Sequence, residues 1–190
     1  MASIPTIPAD TSVEKLLSEI MPSVSKDMLA SSNAATELAG TEITMVVDVS
    51  GDLYSYTLKD GANVEFKKGD IANPKLRLKV SKDDMEKMIK TQNLDMILGI
   101  QNDLNKAKYN ALNSLKGSFV AEITNDDGSI VKLQAILNGA NDPSSVFKMS
   151  AKDTSALMRK ETNPVNLFMS GAMKIEGDMA FAMGTQPLFS

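Results

Sequence analysis

The chain has no cysteine and no histidine in 190 residues. Disulfides, zinc sites of the usual Cys/His type, thiol nucleophiles and a Ser-His-Asp triad are therefore excluded. Tryptophan is also absent and aromatic residues make up only 5%. That argues against sites that stack bases or sugars. Excess positive charge is lacking too: the net charge is -4 and the pI about 4.9. A nucleic-acid partner is not expected, because phosphate neutralisation needs clustered Lys and Arg. No apolar run approaches the roughly 20 residues of a membrane span. The opening Met1–Ser12 has neither a basic segment nor an apolar one, so no secretory signal is expected and the cytoplasm is the default compartment.

Motifs that would carry chemistry are equally scarce. There is no Gly-x-Gly-x-x-Gly and no P-loop. Ser-x-x-Lys occurs at Ser23/Lys26, Ser129/Lys132 and Ser145/Lys148, without the companion motifs of serine acylases. Asn125-Asp126-Asp127-Gly128 fails as a calcium loop, since the EF-hand frame would place Ile123 at its first ligand position. It reads as a hairpin turn. Asp83-Asp84 and Asp126-Asp127 read as surface acids at a helix start and a turn. The expectation is a protein that is not an enzyme, with no metal and no cofactor.

What is present is a pattern of strands and helices. Residues 1–11 read as a loose arm. Val13, Leu16, Leu17, Ile20 and Met21 form one apolar stripe at helical spacing, with Thr11 and Glu14 as a capping box. Pro22 is expected to end or kink this helix, with Val24, Met28 and Leu29 continuing it, and 30–37 reads as a loop. Alternation then predicts strands over 43–49, 53–58, 64–66 and 76–80. In the last, Lys75, Arg77 and Lys79 make a solvated basic stripe. Ser81 with Asp84 starts a helix, Leu94 to Ile100 is a compact apolar patch, and Gln101 to Ser114 reads as a polar helix.

The order then recurs. Leu115-Lys-Gly117 echoes Leu38-Ala-Gly40. Strands at 119–124 and 130–137 flank a turn, Asn138-Gly139-Ala140-Asn141 echoes Asp60-Gly61-Ala62-Asn63, 146–149 is strand-like, and Ser150 with Asp153 repeats the helix start at Ser81. Duplication is the expectation: an arm at 1–11, a first half-repeat with leading helix at 12–114, and a second at 115–190. The fold class expected is α+β, a mostly antiparallel twisted sheet covered by helices and built from two related halves.

The end of the chain is rich in methionine. Of 13 methionines, six follow residue 145: Met149, Met158, Met169, Met173, Met179 and Met183. Clustered methionine suits a surface that adapts to varied apolar partners. Asn163-Pro164, Leu167-Phe168-Met169, the run Gly171 to Asp178 with Lys174-Ile175-Glu176-Gly177, and Met179 to Met183 together resemble the end of the sterol carrier protein 2 family. The resemblance fades upstream, and the family's longer final helix is here interrupted by Gly184 and Pro187. It implies helices on one face of a twisted sheet, an apolar tunnel between them, and non-catalytic binding or transfer of a fatty acyl chain, a sterol or a similar lipid. The tunnel wall it implies is Leu167, Phe168, Met169, Met173, Ile175, Met179, Phe181 and Met183, with the Gly184/Pro187 break as a mobile exit. A lipid or fatty-acid ligand and a transient membrane-surface contact are the partners implied. A peroxisomal address, carried by some members, is not matched by Pro187-Leu188-Phe189-Ser190. The alternatives are a protein-interaction or regulatory module with a filled core, or an accessory domain of a lipid-metabolising enzyme. Oligomeric state stays open.

Overall fold

A computed structural model describes residues 5–99, 101 and 103–189. The leading helical stretch comprises α1 (Val13–Lys15), a π turn (Leu16–Ile20) and α2 (Met21–Ala30). Of the two outcomes expected at Pro22, an end or a kink, the helix does not end there, and Val24, Met28 and Leu29 continue it in α2. The Met21 amide donates to the Leu16 carbonyl, five residues back. A turn widened in this way lies directly before the proline and takes the chain into α2 without a break. Its cap is Ser12, whose hydroxyl accepts from the Lys15 amide, in place of the expected Thr11. Glu14 is drawn away instead, to Lys68 at 2.9 Å and to the Tyr54 hydroxyl at 2.9 Å. Residues expected as a loop contain a short helix, α3 (Ala34–Glu37).

The strands follow the alternation closely: β1 (Glu42–Val49), β2 (Asp52–Lys59), β3 (Asn63–Lys68) and β4 (Leu76–Val80). Next come α4 (Lys82–Lys90), α5 (Asp95–Leu98) and α6 (Lys106–Ser114). The last is shorter than the expected 101–114, because Asn105 caps it by accepting from the Lys108 amide at 2.9 Å. Ile100, expected within the apolar patch, lies outside the described residues, as do residues 1–4 of the arm. The remaining elements are β5 (Gly117–Thr124), β6 (Ile130–Leu137), β7 (Ser144–Ser150), α7 (Ala151–Met158), α8 (Pro164–Met169), β8 (Lys174–Gly177), α9 (Met179–Gly184) and a closing 3-10 turn (Gln186–Phe189).

All eight strands form one sheet in the order β3-β2-β1-β4-β6-β5-β7-β8. Two neighbours run parallel, β1 with β4 and β5 with β7, and the other five pairings are antiparallel. The register fixes a one-sided sheet. Val47, Leu78, Ala135, Phe119 and Ser145 lie in one cross-strand row, and Met45, Leu76 and Leu137 in another. Period-two alternation sends these to the face that the helices cover. The opposite face carries Arg77, Lys79, Gln134, Glu122, Lys148 and Glu176, with Lys148 bonded to Glu176 at 2.8 Å. The α+β class expected from the sequence is the class observed. Among the described residues no helix is long and apolar enough to cross a membrane.

Candidate functional site

At the β8 edge, helices and sheet do not close on each other. Each surrounding element is fixed locally. Asn163 caps α8 by accepting from the Asn166 amide at 2.8 Å, with Pro164 at the first helical position, where its missing N–H costs nothing. Gly171, at φ +78°, turns the chain out of α8, and the Met173 amide donates back to the Leu167 carbonyl at 2.9 Å. Asp178 caps α9 by accepting from the Phe181 amide at 2.7 Å. Ser145 of β7 donates to the Asp178 carbonyl at 2.6 Å, so the α9 start is tied to the sheet. Gly184 ends α9, and the chain re-enters as the 3-10 turn around Pro187.

Between these elements lies a cavity of about 220 Å³. Its floor is Phe119 and Ala121 of β5, Phe147 and Met149 of β7, and Ile175 of β8. Leu157 of α7 and Met96 of α5 close one side. Phe168, Met169, Met173 and Met183 make the outer wall, and Thr185, Gln186 and Phe189 the end. Thr185 is the buried polar residue of the wall, and its hydroxyl donates to the Ala182 carbonyl at 2.7 Å. The cavity therefore offers dispersion and exclusion of water rather than directed hydrogen bonds. Its mouth is apolar: Phe168, Met183 and Met169 are 41%, 50% and 78% exposed.

Five of the eight residues singled out from the sequence line this cavity: Phe168, Met169, Met173, Ile175 and Met183. The other three do not. Leu167 is buried in the core, Met179 is largely exposed, and Phe181 is buried against Gly117. A Cβ built on Gly117 would come within 2.6 Å of the Phe181 ring, so that glycine makes the seat for α9. The floor residues Phe119 and Phe147 are outside the sequence expectation, and Met149 enters it only as one of the six clustered methionines. Their signal was plain strand alternation, which is the same whether the helix above touches the strand or leaves a gap.

Phe119, Phe147 and Phe189 form an edge-to-face trio at the inner end, with centroids 5.4, 5.7 and 6.3 Å apart. Behind Phe119 and Phe189 lies a second chamber of about 20 Å³, and Lys108 of α6 lines it. Lys108 is 4% exposed, and burial pushes its ammonium pKa down to about 8, with Lys160 adding to the fall and Asp103 opposing it. Asp103 itself is held by Lys160 at 2.5 Å, which lowers its carboxyl pKa. Among the described residues no group of three or more acidic side chains is placed to hold a metal.

Residues 98–190 match the model of the SCP-2 sterol transfer family. The likeness seen at 163–183 is thus shown, and it extends over the second half of the chain. It does not confirm an internal duplication. Among solved structures, the chain is similar to a sterol carrier protein 2 from Yarrowia lipolytica in apo form, at 17% identity and a TM-score of 0.35, covering 42% of this chain and 76% of that one. It is also similar to the sterol carrier protein domain 2 of Helicoverpa armigera (24%, TM-score 0.38, 54% and 84% covered). A third is the sterol carrier protein 2 like 2 of Aedes aegypti (13%, TM-score 0.34, 48% and 94% covered). No match was found among curated proteins.

Proposed function

We propose that this protein is a non-catalytic carrier of an apolar lipid, a fatty acyl chain or a sterol-like ring system, held in the cavity beneath α8 and α9. The observation that carries the reading is the cavity's wall, in which every lining residue but Thr185 and Gln186 is apolar. An apolar cavity of about 150 Å³ takes up benzene. At about 220 Å³ this one admits a short alkyl segment or ring as it stands. A longer chain or a fused ring system passes out through the mouth, where unbranched Met169 and Met183 can change rotamer at little cost. Each buried methylene contributes about 0.8 kcal/mol. About ten of them reach micromolar affinity once the costs of association are met.

Several features extend the reading. The exposed side chains of Val165, Phe168, Met169, Met179 and Met183 suit brief contact with a membrane surface during transfer. The break at Gly184 suits an exit that hinges. The half-repeat division of 12–114 and 115–190 is supported by the recurrence, in each half, of a hairpin whose first strand pairs in parallel with a later strand. In the first half the leading helix fills the covered face with Leu16, Leu17 and Met21, so one ligand per chain is expected. The cytoplasm is the compartment assigned.

Native mass spectrometry of protein from a lipid-rich host, followed by organic extraction, tests the reading. One retained lipid of a few hundred daltons per chain supports it. A bare protein that also fails to bind a fluorescent fatty acid moves the weight to a filled-core interaction module. A Phe168→Asp, Met173→Asp double variant is expected to lower fluorescent fatty-acid affinity at least tenfold.

A further inference from the structure

Methionine is divided sharply between the core and the cavity mouth. Of the twelve methionines among the described residues, nine are at most 6% exposed. The three others are Met169 at 78%, Met183 at 50% and Met179 at 44%. Met169 is the last residue of α8, Met183 lies near the end of α9, and both line the cavity. Met179 starts α9 and does not line it. A thioether reacts with peroxide where solvent reaches its sulfur, so exposure separates these three from the rest. The product is a sulfoxide, which puts a polar oxygen on what had been an apolar side chain. Among the lining residues only Thr185 and Gln186 carry a side-chain donor, and the Thr185 hydroxyl already donates to the Ala182 carbonyl at 2.7 Å. A sulfoxide turned inward would therefore give up hydrogen bonds to water that a wall of Phe, Met, Leu and Ile side chains does not replace.

We propose that Met169 and Met183 form a modification site at which hydrogen peroxide switches the cavity from holding its ligand to releasing it. This rests on the carrier reading and adds a control to it. In the step the peroxide O–O bond breaks. One oxygen forms a bond to the methionine sulfur, which is oxidised by two electrons to the sulfoxide. The other oxygen leaves as water with both peroxide protons. An unoxidised Met169 or Met183 closes over a ligand by a change of rotamer, at little cost. An oxidised one keeps its oxygen in water and stays off the ligand, so the part of the ligand at the mouth is left exposed to solvent. Uncovering two methylenes corresponds to roughly a tenfold loss of affinity. Methionine sulfoxide reductases, one for each sulfoxide epimer, reverse the change.

Limited treatment of the full chain with hydrogen peroxide, followed by mass spectrometry of its peptides and titration with a pyrene-labelled fatty acid, tests this. Met169, Met179 and Met183 are expected to gain one oxygen each before the buried methionines do. Far-UV circular dichroism is expected to stay unchanged while affinity falls about tenfold, and treatment with both sulfoxide reductases to return the affinity. In a Met169→Leu, Met183→Leu double variant the ratio of affinities before and after peroxide is expected to stay near one, whatever its starting value. In Met179→Leu the ratio is expected to fall as in the parent. If the double variant does not fold, Met179→Leu decides alone: a fall with the buried methionines still unoxidised supports the site, and no fall overturns it. Oxidation of all three with unchanged affinity, or a fall that comes with lost helical signal, overturns the switch and leaves the carrier reading standing. A parent that binds no fatty acid before peroxide overturns the carrier reading and the switch together.

Discussion

The ammonium of Lys108 costs the folded protein stability, and the sign of that cost fixes a pH dependence. Its pKa falls from the ordinary 10.5 to about 8 on burial. Between those two values the unfolded chain holds the proton and the folded chain does not, so stability rises with pH across the window. Below about pH 8 both states are protonated and the full penalty applies. A shift of this size corresponds to roughly 3 kcal/mol. The other lysines and the tyrosines also titrate there, so the difference between two proteins is the useful quantity. Urea unfolding of the parent and of Lys108→Met, at pH 7.5 and pH 10.5, should show Lys108→Met more stable than the parent at the lower pH. That advantage should shrink as pH rises. A gap that stays constant or grows would contradict burial of a charged amine.

At the scale of elements, the position of α9 over the cavity depends on one glycine in the sheet. Gly117 has φ +144°, and a methyl group there would meet the Pro143 carbonyl at 2.5 Å and the Phe181 ring at 2.6 Å. Gly171 has φ +78° but open space around its Cα. Backbone strain of about 1–3 kcal/mol is common to both substitutions, and only Gly117→Ala adds the displacement of Phe181. Gly117→Ala should therefore lose more stability than Gly171→Ala and should also weaken fluorescent fatty-acid binding. Equal losses with unchanged binding would mean that α9 is seated some other way. The same elements show what could be read from the residues. The strands were legible because a one-sided sheet writes its burial as alternation. The caps of α4 and α7 were legible because Ser81 and Ser150 stand next to the helices they start. The π turn before Pro22 was not legible, because it leaves no signature in residue spacing. Of the site, Phe168, Met169, Met173 and Met183 of the outer wall were among the residues that the family resemblance implied. Phe181 belongs to the same set and turns out to anchor, since a core-facing and a cavity-facing residue on one short helix have the same spacing. The Lys108 chamber was invisible, because α6 and the closing turn meet only in three dimensions.

For the whole molecule, the strands before and after residue 115 meet within one sheet rather than in two. β4 and β6 pair over Leu76↔Leu137 to Val80↔Leu133, so neither half can open without exposing a strand edge and the apolar face beside it. The buried core runs across this seam without interruption, from Leu16 and Tyr56 through Leu78 and Ala135 to Phe147. A ledger of that kind favours one cooperative transition over two. The sequence supplies a reporter for this: all three tyrosines, Tyr54, Tyr56 and Tyr109, lie before residue 115, while the cavity lies mostly after it. Tyrosine fluorescence and far-UV circular dichroism should therefore give the same denaturant midpoint. A bound fatty acid should move both together, by about 2.7 kcal/mol of stability when free ligand is a hundredfold above Kd. If ligand shifted the circular dichroism midpoint and left the tyrosine midpoint in place, the halves would unfold independently. The continuous sheet would then be two units that merely touch along β4 and β6.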